Sequence, residues 1–410
     1  MKNHVKGIAV LLAVLMLFSA AMCACTPQED PNDDTSDTAV KGDPSESSTK
    51  IPGNDTSDDS DVEDSGTPTE SETYPVYTKL PFKFTAESIT TNNKINTYRI
   101  FNSLADPAYL IPALNQYFVP QGMDIWEEMG WLMISGYFTE STFSSCSVLL
   151  ALDLRTGEYV GEYYLKNSDG SDHTGHAGGV AITSKNLFIS NGKKLHRIPL
   201  NDIKAANRMG DIRIVDTINV PVSASFCNYS AGVLWVGDFY ESKSYKTDTF
   251  RHMKNRSGDM YYAWCVGYKL SDETENEIAA DKNLPSYEYA TPDIILSIRE
   301  KVQGFAVVSD KYIALSCSYG RKNDSTIYLY NNVLDSEAHG SYKLNGTDVP
   351  LWFLDSKTGC KSYKSMPMTE GLAAYNGKLL ILYESGADKY RNGGGKYPTD
   401  SVWTMNMPSK

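Results

Sequence analysis

Positive charge is scarce in this chain: 38 Lys and Arg stand against 51 Asp and Glu, a net charge of −13 over 410 residues. The deficit is local. Residues 26–73 hold 15 acidic residues against Lys41 and Lys50, a net −13; the first 25 residues add Lys2 and Lys6, which leaves −2 for 74–410. A nucleic-acid-binding domain carries a basic face. The near-neutral remainder has no such excess, so nucleic acid is not expected as a partner. Long apolar runs are also lacking. The run from Ile8 to Met22 is the main one, and it is short for crossing a bilayer. Beyond residue 74 there are five cysteines, Cys146, Cys227, Cys265, Cys317 and Cys360. Their odd number and irregular spacing do not make a disulfide framework. With no Cys-x-x-Cys there is no zinc signature, and buried, unpaired thiols are expected. No Gly-x-Ser-x-Gly, His-Glu-x-x-His or Lys-Ser/Thr phosphate loop appears, so hydrolase, metalloprotease and nucleotide-binding readings have no motif support.

What is present begins with an address. Lys2 and Lys6, the apolar run and the small residues after it form a secretory signal. Its end, Ser19-Ala20-Ala21-Met22-Cys23-Ala24-Cys25-Thr26, resembles a bacterial lipoprotein signal. That resemblance implies a lipidated cysteine: Cys25, preceded by Ala24, fits better than Cys23, preceded by Met22. Residues 26–73 contain no aromatic residue and are rich in Asp, Ser, Thr and Pro. Such a segment cannot bury enough apolar surface to offset its ordering entropy, so a disordered acidic linker is expected. The division expected is therefore signal 1–25, linker 26–73 and a single domain 74–410, held on the outer face of a bacterial membrane by a lipid anchor and monomeric.

From about residue 118 one pattern recurs five times: a strand opening on a small residue, a short turn, and a second apolar strand. The copies start at Gln121-Gly122, Gly178-Gly179, Ser225-Phe226, Gln303-Gly304 and Glu370-Gly371. Third strands follow at 148–153, 194–200, 261–270, 326–330 and 402–405. Leu152–Gly157 recurs as Leu354–Gly359, read as a hairpin turn between outer strands. Four-stranded units arranged radially make a β-propeller, and glycine suits innermost strands, where backbones crowd. The fold expected is all-β, a five-bladed propeller. Its last blade would be completed by an N-terminal strand from 76–104, with Phe82–Thr85 and Thr97–Phe101 as candidates. A six-bladed ring, with 76–117 as a complete blade, is the alternative. Asp106-Pro107 reads as a helix start running to about Gln116, and 331–349 as an insertion or an extra strand.

The runs Pro120-Gln121-Gly122, Asp172–Ala181, Val302-Gln303-Gly304 and Ser318-Tyr319-Gly320-Arg321 resemble those of secreted bacterial β-propellers, similar at fold level to the streptogramin-lyase and SMP-30/gluconolactonase propellers. The resemblance implies the fold over 118–410. No catalytic set of either family is matched, so none is carried over.

Antiparallel strands bring the start of each innermost strand and the end of each second strand to one face. Gln121, His176, Ser225, Gln303 and Glu370 should therefore meet Tyr137, Asp238, Tyr240, Tyr319, Arg321, Tyr383 and Glu384 around one channel mouth, with His173 in the adjoining loop. Converging polar and aromatic groups suit a small-molecule, glycan or peptide ligand. Among them His176, Glu370 and Glu384 are the acid–base candidates for a lyase or hydrolase. No metal site is expected from His173, His176 and the neighbouring aspartates, because the loop lacks a late bidentate glutamate; a divalent cation stays as the alternative. Arg321 is expected to pair with Glu370 or Glu384. The Gly-rich loop after Ser385 is expected to be mobile.

Overall fold

Apolar strand residues in this chain come in unbroken runs, and the fold explains why. Odd and even positions of Trp131-Leu132-Met133-Ile134 enter two different cores: Trp131 and Met133 pack in one, Leu132 and Ile134 in the next. A sheet with a neighbour on each face needs no polar side. The computed structural model describes residues 76–90 and 94–408; the expected signal, linker and lipidation cysteines Cys23 and Cys25 lie outside the described residues.

Five antiparallel sheets surround one axis. Blade 1 consists of Phe118–Trp126, Trp131–Phe138, Val148–Asp153 and Tyr159–Lys166. Blade 2 has Gly179–Ile182, Asn186–Asn191, Lys194–Pro199 and Asp216–Asn219. Blade 3 has Phe226–Ser230, Val233–Gly237, Ala263–Lys269 and Ile294–Ile298. Blade 4 has Val302–Val308, Tyr312–Cys317, Ser325–Asn331 and Cys360–Ser365. Blade 5 has Thr369–Tyr375, Lys378–Tyr383 and Ser401–Asn406, and its outer strand is Ala105–Leu110 from the N-terminal side. Each gap between blades holds one apolar cluster.

The ring thus has five blades and is closed by an N-terminal strand, as the repeats imply, but the closing strand is not either of the two expected. Phe82–Thr85 is irregular chain whose Phe84 fills the core between blades 5 and 1, and residues 99–102 form a helical turn. Nor does a helix start at Asp106. Pro107 sits in the outermost strand beside a register shift, where a missing N–H costs no ladder bond. The six-bladed alternative falls with it, because 76–117 supplies one strand to an existing blade.

Two segments leave their own blade to cover an edge. Met209–Arg213 pairs parallel with the outer strand of blade 1, and the hairpin Gly340–Leu344/Thr347–Phe353 pairs parallel with the outer strand of blade 3. The expected insertion at 331–349 is therefore a loan from blade 4 to blade 3. Leu354–Gly359 links two blades rather than turning a hairpin, although it shares its local geometry with Leu152–Gly157. Asp153 accepts the Arg155 N–H (2.9 Å), Asp355 accepts the Lys357 N–H (3.0 Å), and each segment ends on a glycine with positive φ. Exposed sheet edges invite pairing with other chains; these strands occupy them.

At the axis the innermost strands touch backbone to backbone. A Cβ on Gly122 would lie 2.5 Å from Gly179 Cα, and one on Gly179 would lie 2.2 Å from the Cys227 nitrogen. Below that ring of glycines the channel is plugged. Asp124, buried on the innermost strand of blade 1, accepts the N–H groups of Ile125 (2.9 Å), Ile182 (2.8 Å) and Tyr229 (3.3 Å), tying three blades together. Its burial pushes the carboxyl up to about 7 despite those donors. The face that carries the starts of the innermost strands is the channel mouth.

Candidate functional site at the channel mouth

Three innermost strands carry a β-bulge at the same level. The register shifts between Pro120 and Gly122, between Val302 and Gly304, and between Thr369 and Leu372. A bulge turns its extra residue out of the ladder, and the extra residues are Gln121, Gln303 and Glu370. All three aim into the mouth. Gln121 Nε2 donates to Glu384 Oε2 (3.1 Å), and Gln303 Nε2 donates to Glu370 Oε1 (3.1 Å).

Glu370 and Glu384 are buried and hydrogen-bonded to each other. Loss of hydration pushes both carboxyls up, Glu370 further because it also faces the Glu384 charge. Two carboxylates in contact cannot both ionise cheaply in such a place. The pair therefore holds a proton at neutral pH that the two carboxyls share.

An aromatic wall stands over the pair. The Tyr390 hydroxyl lies within hydrogen-bond reach of Tyr137 and Glu384. Both phenols are held above their usual value, first by burial and then by the negative charge of Glu384. The His176 ring meets Tyr137 edge to face at 4.8 Å. Desolvation, then Lys389, lowers its basicity, so it is neutral at pH 7. On the far rim Phe239 packs against Tyr245 (5.3 Å) and Tyr319 (6.0 Å).

The structure thus brings together Gln121, Tyr137, His176, Gln303, Glu370 and Glu384, with Tyr319 at the rim. The other candidates make different contacts. Asp238 is fully buried, paired with Arg251 (3.0 Å) and accepting the Ser223 and Trp264 N–H groups; it is a structural ion pair. Tyr383, one position before Glu384, points to the opposite side of its strand into the core between blades 4 and 5. His173 is buried in its own loop, its Nδ1 3.0 Å from Asn167 Oδ1 and its ring beside His196. The Arg321 guanidinium lies over the Tyr390 ring (5.3 Å) and its Nη1 donates to the Gly393 carbonyl (3.1 Å). Tyr240 stacks flat on Tyr262 at 4.6 Å.

Two mouth residues, Lys389 and Tyr390, were not among the expected set. They sit on the helical turn Asp388–Arg391, in the loop whose composition suggested mobility. That loop is fastened: Arg391 pairs with Asp388 (3.0 Å) and donates to the Gly386 carbonyl (3.1 Å), while the Arg321 carbonyl accepts the Lys396 N–H (3.1 Å). The aromatic next to a lysine in a polar loop was the available signal. The thiols are free as expected, with Cys146, Cys227 and Cys265 buried, though Cys360 is exposed. Among the described residues no group of three His, Cys, Asp or Glu side chains could share a metal ion.

Fold and site together define a five-bladed all-β propeller with a carboxyl pair at the mouth of a closed channel. Among solved structures the chain is similar to three bacterial β-propeller proteins. They are the PQQ-bound aldose sugar dehydrogenase of Streptomyces coelicolor (13% identity, TM-score 0.40, covering 74% of this chain and 97% of that one), the glutaminyl cyclase of Myxococcus xanthus (10%, TM-score 0.35, 73% and 94%) and BamB of Moraxella catarrhalis (9%, TM-score 0.29, 71% and 84%). No family model and no curated protein matches the chain.

Proposed function

We propose that the chain is a binding propeller that takes a small polar ligand, of glycan or peptide type, into the mouth above Glu370 and Glu384. The observation that carries this reading is the proton-sharing pair beneath an aromatic wall. The carboxyl pair with its shared proton and the two glutamine amides offer donors and acceptors together. Tyr137, His176 and Tyr390 offer faces for the apolar sides of a sugar or a peptide. The extracellular lipid anchor belongs to the same reading, with Cys25 as the attachment point and 26–73 as the tether.

The test is a glycan and cell-wall-fragment array, extended with short peptides, probed with the full chain, Glu384→Gln and Tyr390→Ala. Signals lost in both variants support the mouth as the site. Signals unchanged in both overturn it and favour a protein-interaction scaffold that uses another surface. A second reading, a lyase or hydrolase, is favoured by one feature: a protonated carboxyl and a neutral imidazole share the mouth, so an acid and a base are both at hand. It is distinguished by product release from a bound array ligand, lost in Glu370→Gln while binding is kept.

A further inference from the structure

Beside the mouth, on the same face, a cavity of about 300 Å³ opens between blades 3 and 4. Its wall includes Arg299 and Lys301 from the link between the blades, and Cys317, Tyr319, Thr326 and Tyr328 from blade 4. Tyr319, part of the aromatic rim described above, also lines this cavity.

Arg299 is the unusual member. Its guanidinium stacks on the Tyr328 ring at 3.5 Å and its Nε donates to the Tyr330 hydroxyl at 2.9 Å. Stacking and that single bond fix the plane of the group, which forms part of the cavity wall. Among the described residues no carboxylate stands within ion-pair distance of it. The two acids of the cavity wall are occupied elsewhere. Glu300 pairs with Lys301 (3.2 Å). Asp324 accepts the Tyr98 hydroxyl (2.8 Å) and has Lys396 (3.6 Å) and Lys364 (4.0 Å) beside it. A half-buried guanidinium with no counter-charge is costly unless something supplies one. Lys301, beside it in the cavity wall, is held by its own N–H on the Tyr240 carbonyl (3.0 Å) and by the Ser318 N–H on its carbonyl (3.0 Å); its φ of +62° is the turn by which every blade enters its innermost strand, as at Tyr117, Ala177, Ala224 and Met368.

We propose that this cavity is a binding site for an oxyanion, a carboxylate or a phosphate, gripped by the paired Nη groups of Arg299. The planar fork of arginine matches two oxygens of either group. The site is separate from the mouth over Glu370 and stands whether or not that mouth binds a glycan or peptide.

The test is thermal unfolding of the full chain titrated with inorganic phosphate and, separately, with sodium glucuronate. Glucose and sodium chloride at matched ionic strength serve as controls. A ligand that binds only the folded state raises Tm in a saturable way. The expected result is a saturable rise with at least one oxyanion and none with either control; which oxyanion acts tells a phosphate site from a carboxylate site. Arg299→Lys keeps the charge but not the fork and should weaken the response at least tenfold. Thr326→Phe fills the cavity from the strand that carries Tyr328, leaving Arg299 itself unchanged, and should abolish the response. No saturable rise with either oxyanion, or one equally strong in whichever variants fold, overturns the proposal and leaves Arg299 a structural stacking group.

Discussion

The proton shared by Glu370 and Glu384 should be visible in stability. In the unfolded chain both carboxyls titrate near 4.5, so above about pH 5.5 neither holds a proton. In the folded chain burial and the adjacent charge raise both, and the pair keeps at least one. Stability then changes with pH as the difference in bound protons, unfolded minus folded, which is negative in this window by one proton or more. The contribution is fully present below the unfolded value and falls by roughly 1.4 kcal/mol or more per pH unit as pH rises toward the pair's folded value. Glu370→Gln combined with Glu384→Gln removes the titration, which neither change does alone because burial by itself raises the carboxyl that is left; the new amides can still hydrogen-bond to each other, and the amide oxygen at position 370 can still accept from Gln303. The double variant should therefore gain on the wild type by about 1.4 kcal/mol or more for each unit between pH 5.5 and 7.5, whatever its offset at the lower end. Urea unfolding followed by tryptophan fluorescence measures this well, because Trp126, Trp131, Trp235, Trp264 and Trp403 are buried and will report exposure. Working with the difference between the two proteins removes every other titrating group. Parallel profiles across this window would show that the pair holds no extra proton, and the proposed acid–acceptor arrangement at the mouth would go with it.

Two further outcomes follow from the axis and the address. Gly122→Ala places a Cβ under 3.0 Å from three backbone atoms of Gly179 and Val180; overpacking of this kind costs about 1–3 kcal/mol or more, whereas Gly340→Ala meets nothing within 4 Å and should stay within about 0.5 kcal/mol. Equal denaturation midpoints for the two variants would refute the crowded-axis account. For the anchor, Cys25→Ala should release the protein from membranes in a bacterial fractionation while Cys23→Ala does not; the reverse moves the attachment to Cys23, and retention in both removes the anchor.

The blades were legible because each carries its own signature. Repeated small residues marked the crowded inner strands, and continuous apolar runs marked the second and third strands that sit between two cores. The closing strand was not legible, for a physical reason. Ala105–Leu110 lies at an edge and makes half a ladder, so its sequence is free to hold Asp106-Pro107, a pair that locally favours a helix start. The edge-covering segments were hidden in the same way, since their pairing partners lie in other blades and no local pattern records a parallel partner more than 40 residues away. Inside the site, the level of each residue along its strand could be read but its side of the strand could not. Tyr383 and Glu384 were equally placed by position, and alternation sent one to the core and the other to the mouth. Asp238 failed differently: the partner that neutralises it, Arg251, comes from an insertion whose path the sequence did not indicate.

The bulges join these two levels of description. In blades 1, 4 and 5 the residue thrown into the mouth is followed directly by the glycine that lets the ring close: Gln121-Gly122, Gln303-Gly304 and Glu370-Gly371. A bulge bends its strand, and the bend presses the next residue against the neighbouring blade, where a Cβ on Gly304 would lie 2.6 Å from the Glu370 carbonyl oxygen and one on Gly371 would lie 2.9 Å from the Met123 nitrogen. The polar pair at the mouth is therefore held by close backbone packing at the axis, which suits a site whose two carboxyls must stay close enough to share a proton. Blades 2 and 3 show no such bulge, and the mouth is correspondingly lopsided, with His176 on one side and the amide-flanked acids on the other. Substitution at any of the three glycines should then disturb Glu370 and Glu384 as well as stability, so a Gly→Ala variant that still folds but has lost the pH-dependent difference would locate the coupling in the bulge itself.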